Sequence, residues 1–224
     1  MRVAVIHATP LALDPVAEAF AESWPEADVL NILDDTLSRD RAAAEQLTND
    51  LASRIAGLAD YAVNAGARGI LYSCSAFGPA IKSVARRLKI PVLTPNEAMF
   101  AEACASEGNV GLLATFEPSI ASMAAEYAAI SDGKALAASC VPKALQAMQR
   151  GDAKLHDKLL AASAKEMDCD TIMLAQFSTA RAAKAVARSA KKKKILSSPG
   201  SAVRALKGRM ATKATVSDYN IVKD

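Results

Sequence analysis

The stretch best equipped for chemistry is GILYSCSAFGPAI, residues 69–81, where a cysteine stands between two serines. The apolar run Gly69–Tyr72 has the length of a buried strand, and Phe77-Gly78-Pro79 marks a turn into a helix. Cys74 is therefore expected where a strand hands over to a helix. Free backbone N–H groups and the positive end of a helix dipole stabilise a thiolate and lower its pKa. The same N–H groups, with the hydroxyls of Ser73 and Ser75, can cradle a carboxylate. A thiolate beside such a cradle is placed to move a proton on the carbon next to that carboxylate. The competing reading is a small buried apolar residue, since free cysteines are among the most buried side chains.

The remaining candidates are fewer. Cys104, Cys140 and Cys169 fall inside a helix, inside a strand and in a turn before a strand, and they read as structural. The chain has four cysteines, no CxxC pair, and only His7 and His156 as histidines. Neither a zinc site nor a disulfide framework is suggested. His7 ends the first strand; its ordinary pKa of ~6.5 suits proton transfer, although a hydrogen-bonded structural histidine fits that place equally. His156, in KLHDKLLAAS, is expected at the surface. Asp14 reads as a helix cap, and Asp34 and Asp35 as turn and cap residues before a helix near residue 40.

The elements that must position these residues follow from apolar patterning. Strand-length runs occur at 2–7, 28–32, 69–73, 91–94, 109–114, 136–141, 171–175 and 194–197. Alanine-rich stretches of helical period separate them. Asp14-Pro15 and Ser198-Pro199 carry the signature of helix starts. The stretch 38–66 is expected to be helical with one break. Such alternation predicts an α/β protein with parallel strands. A closed eight-stranded barrel typically needs ~250 residues, and 224 are present. VAVIHATP (3–10) echoes VGLLATFEP (110–118), and LYSCSAFG (71–78) echoes MLAQFSTA (173–180), both at offsets of roughly 100 residues. The expectation is two pseudo-symmetric lobes, each a short, mostly parallel sheet flanked by helices, with the active site in the cleft between them. Their bounds are 1–97 and 98–198, with a C-terminal helix at 199–224 packing back on the first lobe.

Composition narrows the function classes. The chain is 51% hydrophobic and 23% charged, with a net charge of +3, so nucleic acid and membrane surfaces are not expected partners. Lys191–Lys194 is the strongest charge feature. It lacks interleaved aromatics and reads as a solvated loop. No GxGxxG or GxxxxGK[ST] cradle for nucleotide phosphates occurs. No apolar run approaches the ~20 residues of a membrane span, and MRVAVIHATP reads as a first strand rather than a signal segment. A reduced, cytoplasmic protein is expected.

The strings HATP, NILDDTL, YSCSAFG, TPNEAMF, LLATFEPS, MLAQFSTA and SSPGSAVRAL together resemble the aspartate/glutamate racemase superfamily. That group includes hydantoin racemases, maleate isomerases and arylmalonate decarboxylases. The resemblance spans essentially the whole chain. It implies a cofactor-independent enzyme, an isomerase or a lyase/decarboxylase, that moves a proton at the α-carbon of a small carboxylate such as an amino acid, a hydantoin or a malonate. It also implies a homo-oligomer. In such racemases each lobe gives one cysteine at the end of its third strand, and the two serve opposite faces of the substrate. Cys74 matches the first, followed by Ser75 and Ala76. The second position holds Gln176, whose amide does not titrate near neutral pH. The chain thus resembles a one-cysteine variant related to arylmalonate decarboxylase and maleate isomerase, although decarboxylases of this kind place their single thiol in the second lobe. Thr115 and Ser119 match hydroxyls that hold a substrate carboxylate. Gln176 and Ser178 can donate to a carboxylate or an enolate, and His7 and Thr9 border the first strand end. Glu117 would repel a carboxylate and is given no role. A catalytically silent binding protein on the same scaffold is the alternative from another class.

Overall fold

The computed structural model describes residues 1–44 and 46–220. The chain runs β1 (Arg2–His7), α1 (Leu13–Ser23), β2 (Asp28–Leu33), α2 (Leu37–Ala43), α3 (Asn49–Asn64), β3 (Ile70–Tyr72), α4 (Gly78–Arg87) and β4 (Val92–Leu93). It continues with α5 (Glu97–Cys104), β5 (Val110–Ala114), α6 (Pro118–Ala128), β6 (Leu136–Cys140), α7 (Pro142–Gln149) and α8 (Ala153–Glu166). The last elements are β7 (Thr171–Leu174), α9 (Ala183–Ser189), β8 (Lys194–Ser197) and α10 (Ser198–Asn220). Short 3-10 turns, Pro10–Ala12, Ser75–Phe77 and Phe177–Ala182, follow β1, β3 and β7.

The strands form two parallel four-stranded sheets, ordered β2-β1-β3-β4 and β6-β5-β7-β8. The fold class is α/β, and the two sheets repeat one topology. The chain divides into two compact units, Met1–Glu97 together with Ala202 onward, and Ala98–Ser201.

Burial explains which runs are uniformly apolar. β1 is buried at every position after Arg2, and β3, β5 and β7 are buried throughout. They lie inside their sheets, with helices covering both faces, so both sets of alternating side chains must be apolar. In the second unit, Val110, Leu112, Met173 and Ala175 point into one core with Phe100, Met123 and Tyr127. Leu113, Ile172 and Leu174 point into another with Leu160 and Val186. The edge strands β2 and β6 are only partly buried and accommodate Asn31 and Ser139. In the first unit the core gathers Ile6, Ile55, Ile70, Tyr72, Phe77 and Ile81. Burying each such side chain contributes roughly 1.5–3 kcal/mol before entropic costs.

Gly69 opens β3 for a steric reason: a Cβ there would lie 2.6 Å from Met210 Sδ and 3.0 Å from Leu206 Cδ1, both on α10. That helix is further tied to the first unit by Lys207, which donates to the Ser23 carbonyl and pairs with Glu26 at 2.8 Å. The expected helix at 199–224 spans Ser198–Asn220; residues 221–224 lie outside the described residues.

The break expected in 38–66 falls between Ala43 and Asn49, with Glu45 outside the described residues. Thr48 restarts the chain as a helix, its hydroxyl accepting the Leu51 N–H at 3.2 Å. Two sequence expectations need correction. Asp14 does not cap α1; the helix begins two residues earlier than expected, at Leu13 with Ala12 as N-cap, because the 3-10 turn already winds the chain. Asp14 instead sits in the first turn, where its charge suits the helix dipole. His156 is not a surface residue. It is 1% exposed and shares the buried face of α8 with Leu160 and Ala164, its Nδ1 bonded to Asp157 at 2.7 Å.

Candidate active site

Parallel strands bring all their carboxyl ends to one edge of a sheet. In the first unit that edge carries His7 after β1, Asp34 after β2 and Ser73-Cys74 after β3. Cys74 has extended backbone dihedrals, φ −127° and ψ 123°, and caps the 3-10 turn Ser75–Phe77 that leads into α4. Its side chain is half-buried against the core, while Ser75 and Ala76 are exposed. Burial pushes the thiol above its ordinary value, and the nearby Ala76 N–H, Ser38 hydroxyl and Arg41 charge offset it only in part. The sequence led to the opposite direction, a lowered pKa from the helix start alone. A single turn of N–H groups does not offset the loss of water around the sulfur.

His7 lies fully buried beside this strand end. With Asn31 Oδ1 as acceptor at 3.1 Å, Nε2 carries the proton, and Nδ1 accepts from the Ser73 hydroxyl at 3.0 Å. Burial lowers its pKa, and the bond to Asn31 offsets only part of that. His7 is therefore a neutral ring with both nitrogens engaged, buttressing the residue before Cys74. Thr9 caps the following 3-10 turn, its hydroxyl accepting the Leu11 N–H at 3.4 Å. Asp34 acts as a turn residue, accepting from the Thr36 N–H at 3.1 Å and the Thr36 hydroxyl at 2.7 Å.

The corresponding edge of the second unit brings three of the expected residues together. Gln176, after β7, accepts through Oε1 from the Thr115 N–H at 3.1 Å and the Thr115 hydroxyl at 3.3 Å. Its Nε2 donates to Ser119 Oγ at 2.6 Å, and Ser119 donates onward to the Phe116 carbonyl at 2.7 Å. Thr179 clamps the Gln176 backbone: its hydroxyl donates to the Gln176 carbonyl at 2.6 Å and accepts the Gln176 N–H at 3.2 Å. Ser178 belongs to the same turn, half-buried. Thr115 is itself 2% exposed, so its N–H needs the acceptor that Gln176 supplies. The result is a network of neutral donors and acceptors joining the ends of β5 and β7.

Sequence reasoning passed over other groups at these edges. Arg41 donates from Nε to the Ala76 carbonyl at 3.3 Å and from Nη1 to the Ala44 carbonyl at 3.0 Å. Ser38 stands one helical turn before it. Cys140 ends β6 level with Ala114, and its thiol is pushed up to about 11 by burial and by Glu117. The i, i+3 spacing of Ser38 and Arg41 was visible; their nearness to Cys74 depends on how α2 docks. Among the described residues no group of three or more His, Cys, Asp or Glu side chains could hold a metal ion. No helix among them is long and apolar enough to cross a membrane.

Comparisons with known proteins agree with this geometry. An allantoin racemase from Klebsiella pneumoniae superposes with a TM-score of 0.73 at 15% identity, covering 95% of this chain and 89% of its own. A glutamate racemase isoform from Bacillus anthracis gives 0.68 at 13% identity, covering 97% and 82%. The Picrophilus torridus aspartate racemase gives 0.64 at 15%, covering 88% and 89%. At these identities the likeness establishes the fold. No curated protein matches the chain by sequence. The family model for Asp/Glu/Hydantoin racemase matches residues 6–206, which take in both strand edges and both sheets. The chain therefore belongs to the Asp/Glu/Hydantoin racemase family and is an enzyme of the isomerase class.

Proposed function

We propose that this enzyme moves a proton at the α-carbon of a small carboxylate (an amino acid, a hydantoin or a malonate-like acid) with Cys74 as its acid/base and without an organic cofactor. The observation that carries the proposal is the place of the thiol. Cys74 stands at the carboxyl end of β3, in extended backbone, immediately before the 3-10 turn Ser75–Phe77 that leads into α4. As a thiolate, Cys74 takes the α-proton; the C–H electron pair moves into the carboxylate to give an enediolate. Neutral hydrogen-bond donors suit that charge. Returning the proton to the same carbon completes the exchange.

A second reading rests on two specific observations. Burial favours the protonated thiol, and the second sheet's third strand ends in an amide that does not titrate. Both suit a lyase in which loss of CO₂ leaves the bonding pair on an enediolate and the Cys74 S–H supplies the proton. Incubation in D₂O with a panel of amino acids, hydantoins and aryl-malonates separates these readings. The expected result is deuterium at the α-carbon, abolished in Cys74→Ala. Exchange that survives the substitution removes Cys74 from the chemistry. Exchange with retained configuration sinks the racemase, and CO₂ release from an aryl-malonate selects the lyase.

A further inference from the structure

Gln176 is half-buried at the end of β7, and its side chain reaches across to the residues that follow β5. The donors it meets decide which way its amide points. The Thr115 N–H can only donate, so the atom it meets at 3.1 Å is the amide oxygen. The Thr115 hydroxyl gives that oxygen a second donor at 3.3 Å. The Nε2 group then faces Ser119 Oγ at 2.6 Å, and the Ser119 hydroxyl turns its own proton to the Phe116 carbonyl at 2.7 Å. Thr179, 0% exposed, holds the Gln176 backbone through both its N–H and its carbonyl, which fixes where the side chain starts. One planar O–C–N group is thus matched at both ends, by two donors on its oxygen and an acceptor on its nitrogen.

We propose that Thr115 and Ser119 form a recognition site for a primary amide, and that Gln176 is its built-in occupant, closing it to dissolved amides. Burial makes the arrangement an exchange rather than a simple opening. Thr115 is 2% exposed, and a buried N–H is costly to leave without an acceptor, so the Gln176 oxygen departs only when another acceptor replaces it. A group carried on the chain itself competes at an effective concentration that a dissolved amide does not reach. A carboxylate has the same shape but suits the site less. The proton of Ser119 is committed to Phe116, and Glu117 lies two residues from both Thr115 and Ser119. Gln176 is therefore a specificity-determining residue: its length decides whether these donors meet a ligand or the protein's own amide.

The proposal does not rest on the α-proton reaction, and its test involves no turnover. The full chain, isotope-labelled for amide NMR, is titrated with acetamide up to about 0.1 M, since so small a ligand binds weakly. In Gln176→Ala the Thr115 N–H signal should move saturably, with a midpoint of roughly 10–50 mM, and the thermal midpoint should rise with it. In the wild type the signal should stay put. Gln176→Met fills the same volume without an amide and should also leave it unmoved. Adding Ser119→Ala to Gln176→Ala should weaken acetamide binding about threefold or more, because one hydrogen bond is lost. Acetate should bind Gln176→Ala more weakly than acetamide does. A Thr115 signal that moves alike in the wild type and Gln176→Ala, or moves in neither, overturns the proposal. Acetate binding tighter than acetamide overturns it as well. If Gln176→Ala does not fold unaided, it is refolded with acetamide present: recovery that requires the amide supports the proposal, and failure with the amide present counts against it.

Discussion

His7 shows how one buried residue makes stability depend on pH. Its folded pKa lies below its ordinary value, so below about pH 6.5 the unfolded chain binds a proton that the folded chain refuses. Stability is therefore intact above that pH and falls as pH drops through it. Urea unfolding at about pH 7.5 and 5.5 should show a loss in the wild type that His7→Gln largely removes, since the amide does not titrate. Equal losses in both proteins would mean that the ring is protonated in the fold. The sequence placed His7 at the end of a strand, but whether a strand-end ring faces solvent or neighbours depends on Ser73 and Asn31, far away in the chain. His156 carries the opposite lesson. His156, Leu160 and Ala164 recur at helical spacing, so the buried face was visible. The polar neighbours Lys154, Asp157 and Lys158 hid it.

Elements explain why identical residues do different work. Lys191 and Lys192 are exposed, whereas Lys193 reaches back to the end of α8. Its ammonium donates to the carbonyls of Ala164 at 2.9 Å, Lys165 at 3.3 Å and Met167. Helix C-termini leave carbonyls without intrahelical partners, and a cation there satisfies them and suits the dipole. Lys194 begins β8 and donates to Ser106 Oγ at 2.9 Å. Lys193→Ala should cost about 1 kcal/mol in chemical denaturation, while Lys191→Ala and Lys192→Ala should stay within about 0.5 kcal/mol. A uniform response across the run would show that charge density, not helix capping, is what the lysines provide. The strands themselves were legible because each is a short apolar run between turn residues. The bounds of β1 and β8 match the sequence pattern, and the others shift by a residue or two where a sheet edge or a turn decides the last pairing. Helix α2 was legible as a helix but not as a neighbour of the Cys74 turn. Its docking is set by Arg54, a long-range contact to Asp40 that no periodicity encodes.

At the scale of the molecule, the repeated sheet order accounts for the echoes between VAVIHATP and VGLLATFEP and between LYSCSAFG and MLAQFSTA. Each echo marks an equivalent strand and its turn, so the duplicated architecture could be read from two short similarities. What those similarities could not supply was the state of the strand ends, where Cys74 and Gln176 answer to their own surroundings. The same repeat does not make the two units equal in chain continuity. The second is one uninterrupted segment, whereas the first is completed by α10, whose Leu206 and Met210 close over Gly69. A chain stopped after Ser201 should keep a cooperative unfolding transition for residues 98–201 and lose amide protection in β1 and β3, as read by hydrogen exchange. Full protection of those strands would mean that α10 is dispensable.

That discontinuity sets an order of events at the ribosome. The segment bearing Cys74 emerges before the second unit, yet the helix that seals its strand is synthesised after it. The second unit can gather its core while still tethered, and the first must wait for α10. Until then the Gly69 face of β3 stands open, so the nascent protein is exposed to chaperones and proteases at the very element that will carry its thiol. The chemistry of the finished enzyme is thereby tied to synthesis of α10: a chain terminated before it lacks the cover over the strand that leads to Cys74.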